Sequence, residues 1–280
     1  MTKKLLFNGC SMTAGDALTW DKHYPDLDWT ENLYLNKPHT EYTMDQIKLR
    51  YLDYKINLRK HDNLSGQVSK LTGLVTEDLA EDGNSNQNIC MSTISFLSVL
   101  TPEERKNYHV CIGWSSLARK TCWDPEFSNF VNLNINHLSS PNPNHTKFQN
   151  YVKEVLINGT DIDHTLEYFH NVIALQSYLK ANEVTYTFWN TLITVPPLVK
   201  SILSKPTDIA EVTIPFKHEL LFDKKDWISF EKDDIPWIEN HWTLYLLDPI
   251  FTISKVNKHP NLETVIEFSK KVATQIARSI

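Results

Sequence analysis

Early in the chain stands Gly9-Cys10-Ser11-Met12-Thr13, directly after the apolar run Leu5-Leu6-Phe7 and Asn8. A strand that stops at a glycine and then a serine can hold the hydroxyl out of the sheet as a nucleophile, because glycine permits a tight backbone there. A serine in a polar turn can equally do no more than bond to nearby backbone. The stretch is not the GxSxG elbow, since Thr13 stands where its second glycine belongs, and it lacks the glycine spacing of a dinucleotide or phosphate loop. Cys10 is a second nucleophile by type, although side chains at adjacent positions point apart. A nucleophilic serine needs a base. Among eleven histidines, His259 lies in VNKHPNLETVIEF, ahead of a final helical pattern. Pro260 presets the backbone there and Asn261 can cap the helix.

These residues need a scaffold, and the apolar pattern supplies one. Residues 4–8 read as a short buried strand, apolar side by side rather than alternating, and His109–Ile112 as another buried strand, with further strands near Leu74–Leu79 and over 184–190. Helical spacing marks 41–60, a short helix from Ser65 that stops at Gly73, 86–100, 163–181 and 261–280. Strands alternating with helices in this way imply a parallel sheet covered by helices, with sites gathered at the carboxyl ends of the strands. Of only seven glycines, Gly9, Gly83 and Gly113 fall where three of those strands end. Residues 139–146 read as a loop and 195–240 as irregular.

Taken together, these pieces resemble the SGNH (GDSL-type) hydrolase superfamily, and in particular its divergent members encoded by tailed phages and bacteria. Gly9-Cys10-Ser11-Met12-Thr13 is similar to the first block, with Ser11 as nucleophile. Gly83-Asn84-Ser85-Asn86, followed by Ile89, is similar to the second, whose glycine supplies an oxyanion N–H. Ile112-Gly113-Trp114-Ser115-Ser116, with Arg119, sits where the third lies, and Asn257-Lys258-His259-Pro260-Asn261 is similar to the last, which carries the base. The resemblance implies an α/β fold, a three-layer α/β/α sandwich of flavodoxin-like type with a central parallel sheet. It covers 1–280 as a single domain with insertions at 17–63, 120–160 and 195–240. It further implies acyl transfer through a serine ester, with Ser11 attacking, His259 moving the proton, and the N–H groups of Ser11 and Gly83 on the oxyanion. No metal or organic cofactor is expected.

Two positions depart from the pattern. Where the family's third block carries an asparagine that donates to the oxyanion, this chain has Ser115; Asn86 from the neighbouring turn is one replacement, and a hole with fewer donors is the other. Two residues before the histidine the family has aspartate, and here stands Asn257. An amide accepts a hydrogen bond from imidazole but offers no negative charge to imidazolium. Asp248 is a possible substitute, although nothing in the spacing demands it; a Ser–His dyad with slow chemistry is expected. Trp114 and Arg119 stand as substrate-binding candidates, with core packing and a structural salt bridge as their ordinary alternatives.

The expectation is therefore a serine esterase or deacylase acting on a small acyl ester, whether of a small molecule, a glycan or a modified polymer. Transfer to an acceptor other than water uses the same dyad, and a degenerate member would keep the pocket only to bind. Composition is compatible with this: 280 residues, 41% hydrophobic and 22% charged, suit one globular α/β unit. A net charge of -6 argues against nucleic-acid binding through a broad basic surface. Four cysteines without a CxxC pair read as free thiols in a reducing compartment. The N-terminal apolar stretch is too short for a signal peptide, and no run approaches the ~20 apolar residues of a membrane span. A cytoplasmic protein is expected, and the resemblance is consistent with a virus-encoded one acting in its host. Oligomeric state is not legible.

Overall fold

A computed structural model of the chain describes residues 3–15, 23, 24, 26, 27, 39, 41–117, 119–126, 128–133, 148–157, 161–191, 226–228 and 262–280. Strand β1 (Lys4–Gly9) is buried from Leu5 onward and lies in the middle of a four-stranded sheet of order β2-β1-β3-β6. Its neighbours are β2 (Val75–Asp78) and β3 (Tyr108–Trp114), and β6 (Thr185–Asn190) pairs with β3. Every pairing is parallel, and β1 meets β3 from Lys4↔Tyr108 to Gly9↔Gly113. The central strands read as continuous apolar runs because both of their faces are covered.

Alternation along the strands separates two cores. Leu6, Val110, Ile112 and Phe188 pack with helix α5 (Asn86–Ser98) and helix α8 (Asp161–Ala181). Leu5, Phe7, Cys111 and Trp189 pack with helix α4 (Leu64–Thr72) and helix α9 (Leu262–Ser279), where Phe268 meets Trp189 edge-on. The chain is thus a mixed α/β fold with a central parallel sheet flanked by helices. Between β1 and α4 come the four-residue helix α1 (Ser11–Ala14), helix α2 (Met44–Asp53), a π turn over Tyr54–Leu58, and the short helix α3 (Arg59–Asp62). Thr43 and Gln46 cap α2 reciprocally, Asn63 caps α4, and Gly73 ends it in the left-handed region. The helix read over 41–60 is present but opens into the π turn. No helix among the described residues is long and apolar enough to cross a membrane.

The segment 120–160 carries an element that the apolar pattern did not show. Strands β4 (Lys120–Asp124) and β5 (Asn129–Leu133) form an antiparallel hairpin of their own. One face of it packs on helix α7 (Gln149–Val152), through Leu133 and Val152 with Cys122, Val131 and Phe148. Most of 195–240, like the loop 139–146, lies outside the described residues. Within it, Asp226–Ile228 adds a short bridge beside β6, with the Phe188 N–H donating to Asp226 (2.8 Å) and the Ile228 N–H to Phe188 (2.9 Å).

One buried titratable group on the sheet makes stability depend on pH. His109 of β3 is wholly enclosed, its ring nitrogens 2.9 Å from the hydroxyls of both Thr185 and Thr187 on β6. Burial, aided by the Lys3 charge, lowers its pKa from 6.5 to about 3. Folded protein therefore refuses a proton that the unfolded chain accepts. Stability is level above the unfolded value and falls as pH drops from 6.5 toward 3. By pH 5 this one group should have removed about 2 kcal/mol. Urea midpoints measured at pH 7 and pH 5 should converge in His109→Gln relative to the wild-type protein.

Candidate functional site

Ser11 opens α1 one residue after the sheet's central strand has ended, so the fold places it at the carboxyl edge of the sheet. The Cys10 carbonyl accepts from the Thr13 and Ala14 N–H groups, both at 2.9 Å, and Gly15 (φ 73°) closes the turn onto the Ser11 carbonyl. Ser11 is 5% exposed. Cys10 points the other way, fully buried in the core with Leu64 and Val265, its thiol 3.3 Å from the Thr191 hydroxyl. The thiol is a packing group in this fold.

Gly9 and Gly113 are not turn residues, as their position in the sequence suggested. They are register partners within the sheet. A Cβ at either one would overlap the Thr13 hydroxyl, and at Gly113 it would also come within 2.8 Å of the Trp189 indole nitrogen. Thr13 thus folds down over bare backbone. Its hydroxyl is buried and makes no hydrogen bond to any of the described residues, as is true of the Trp114 and Trp189 indole nitrogens.

Gly83, in contrast, is a true turn residue, in the left-handed region (φ 76°) with open space around it. Its turn is fastened to the end of β1. The Gly9 carbonyl accepts from the Glu81 N–H (3.1 Å) and from the Asn84 amide (3.2 Å). Asn8 works from the strand side. Its amide donates to the Ser92 and Thr93 hydroxyls, both at 2.9 Å, and to the Ile89 carbonyl (3.2 Å) on α5. Ser85 caps α5 by accepting the Asn88 N–H (3.1 Å) and meets the Thr121 hydroxyl of β4. Asn132 of β5 donates to Asn84 (3.3 Å).

The other side of this turn is held by charge. Asp82 receives the Tyr51 hydroxyl (3.0 Å), the Arg59 guanidinium (3.0 and 3.2 Å) and the Lys55 ammonium (3.5 Å). These three donors are spaced by four along α2, the π turn and α3, so one stripe of that segment converges on one carboxylate. Asp78, at the end of β2, keeps an exposed edge; desolvation by the protein around it raises its pKa against the opposing hydrogen bonds from Ser65, Ala80 and Asn63 and the Arg59 charge.

At the third strand end, Asn86 grips the backbone of Ser115 from both sides. Its carbonyl accepts the Ser115 N–H (2.6 Å), and its amide donates to the carbonyls of Ser115 (3.1 Å) and Ser116 (3.3 Å). The Asn86 amide is thereby occupied with backbone. The Ser115 hydroxyl accepts from Arg119 (3.1 Å), which stands before β4 rather than on a helix. Trp114 is wholly buried, edge-on to Tyr168 and Phe188, and works as core rather than as a surface for substrate.

The fold therefore gathers Ser11, Gly83, Asn86, Ser115 and Arg119 at the carboxyl ends of adjacent strands. Asn257, His259 and the alternative acid Asp248 lie outside the described residues. Residues that sequence reasoning passed over are Asn8, Asn84, Asp82, Thr121 and Asn132. Only Asn84 carried a signal, the density of asparagine in 84–88, which reads as turn chemistry. No metal-binding cluster of His, Cys, Asp or Glu occurs among the described residues. Neither a protein-family model nor a curated protein matches the chain.

Asn86→Ala strands two or more buried backbone groups, at about 1–3 kcal/mol each. In urea titration it should cost about 2–4 kcal/mol.

Proposed function

We propose that this chain is a serine acyl-ester hydrolase of SGNH type, built on a three-layer α/β/α sandwich, with Ser11 as its nucleophile. One observation carries the reading. The Gly9 carbonyl, two residues before Ser11, is the hydrogen-bond anchor of the Gly83 turn through Glu81 and Asn84. The serine and the glycine N–H that such chemistry requires are thus tied to one point on the sheet.

In this reading the Ser11 hydroxyl oxygen attacks the ester carbonyl while His259 takes its proton. The carbonyl π electrons move onto oxygen, where the N–H groups of Ser11 and Gly83 meet the developing charge. Collapse breaks the bond to the alcohol oxygen, which leaves with the proton from His259. Water, deprotonated by the same imidazole, then releases the acid and restores Ser11. The third donor is Ser115. Its oxygen already accepts from Arg119, so its own proton is the one left to give, and the cation beside it strengthens that donation. This answers the missing asparagine without Asn86, whose amide is occupied elsewhere. Asn257 accepts a hydrogen bond from the imidazole without stabilising its charge, so turnover is slow. The Cys10 thiol, buried against Thr191, does not compete.

Incubation with a fluorophosphonate probe should add one phosphonyl group, read by intact mass, and Ser11→Ala should abolish it. Absence of labelling in the wild-type protein overturns the proposal. With p-nitrophenyl acetate, Ser115→Ala should lower kcat by about 10²-fold at little change in KM, the loss of one oxyanion donor.

A further inference from the structure

The hairpin has two unlike faces. Cys122, Val131 and Leu133 turn toward α7 and are covered. The opposite face carries two cross-strand pairs, Thr121↔Asn132 and Trp123↔Phe130. The first pair is the one fastened to the Gly83 turn: Thr121 meets the Ser85 hydroxyl and donates to Asn132 (2.7 Å), which donates to Asn84. The second pair lies about 7 Å further along the same face, the spacing of two strand residues. Its rings meet edge to face, with centroids 5.2 Å apart and planes at 74°. Both side chains are 51% exposed.

Two adjacent aromatic rings held at half exposure by a well-paired hairpin form a small apolar patch open to a ligand. Their size limits the ligand. At half exposure the two rings offer about 200 Å² together, given roughly 150–250 Å² for each when fully buried. A stable protein interface needs about 800 Å² per partner, so this patch is too small to hold a second copy by itself. It is the size of one ring. An edge-to-face pair leaves a flat, electron-rich face open, which suits the C–H face of a pyranose while the sugar hydroxyls stay in water at its rim. The pair is also tied to the site: Thr121 and Asn132, next to it on the same face, reach Ser85 and Asn84, beside Gly83, through largely buried hydrogen bonds.

We propose that Trp123 and Phe130 form a stacking platform for a sugar ring, the subsite for the alcohol part of a glycan ester whose acyl group reaches Ser11. The role as a subsite rests on the esterase reading; the binding of sugar does not. The full-length protein, as Ser11→Ala to prevent turnover, is applied to an array of neutral oligosaccharides, and the best-retained one is titrated by tryptophan fluorescence. Saturable binding is expected, at least tenfold weaker in Trp123→Ala and in Phe130→Ala, and partly restored in Trp123→Phe. Melting temperatures of these surface variants report that each is folded. Retention of no oligosaccharide, or equal affinity in folded Trp123→Ala, overturns the platform. So does a concentration-dependent dimer that Trp123→Ala disperses. Fluorophosphonate labelling without sugar binding removes the platform and leaves the esterase; sugar binding without labelling does the reverse.

Discussion

A carbonyl at the end of a buried strand must find a donor, because a polar backbone group shut away from water without a partner is costly. At Gly9 that need is met by the Glu81 backbone and the Asn84 side chain, and much of the surrounding structure follows from it. The chain leaving β2 has to return to β1 at a fixed place. Asn84 cannot turn elsewhere, since its own oxygen receives Asn88 from α5 (2.7 Å) and Asn132 from the hairpin. One amide therefore joins the sheet, a helix and the hairpin. Asn8 repeats the arrangement one residue upstream, and both are buried. Neutral amides suit this position: they fill donor and acceptor roles together and bring no charge that would have to be desolvated.

The opposite flank uses charge because it is less enclosed. Asp82 keeps some contact with water, where Lys55 and Arg59 neutralise it and the Tyr51 hydroxyl donates to it. The insertion is thereby bound to the Gly83 turn, while Tyr54, fully buried, reaches the Gly15 carbonyl behind Ser11 (3.4 Å). The same segment thus touches both turns that the proposed chemistry uses.

The central strands and long helices were legible from composition: 4–9, 108–114 and 185–190 are buried almost throughout and rich in apolar, aromatic and β-branched residues, and the last helix shows one apolar stripe. The hairpin was not, because it inverts the usual rule. Lys120 and Asp124 are buried, the lysine paired with Glu167, while Trp123 and Phe130 face water. No hydropathy pattern reads such a segment as a strand. Gly9 and Gly113 were legible as special positions but for the wrong reason, since turn chemistry and close packing select the same residue type. The asparagine network was hidden for a related cause. Asparagine signals a turn locally, and nothing in a single sequence says which distant backbone it will hold. The family resemblance singled out Ser11, Gly83 and Ser115, which follow β1, β2 and β3, yet it said nothing of the Asn86 grip, which depends on two turns 29 residues apart closing on each other.

The paired glycines have a consequence for how this protein could change over time. Side by side in the sheet, they leave a notch without side chains, roofed by Thr13 and bounded by Trp189. A floor made of peptide bonds cannot be reshaped by exchanging one residue for another, since any added carbon meets Thr13 at once. New specificity would have to be written into the hairpin and the inserted helices around it, while the sheet end beneath Thr13 stayed as it is. The chain separates a part that mutation can explore from a part that it can only destroy.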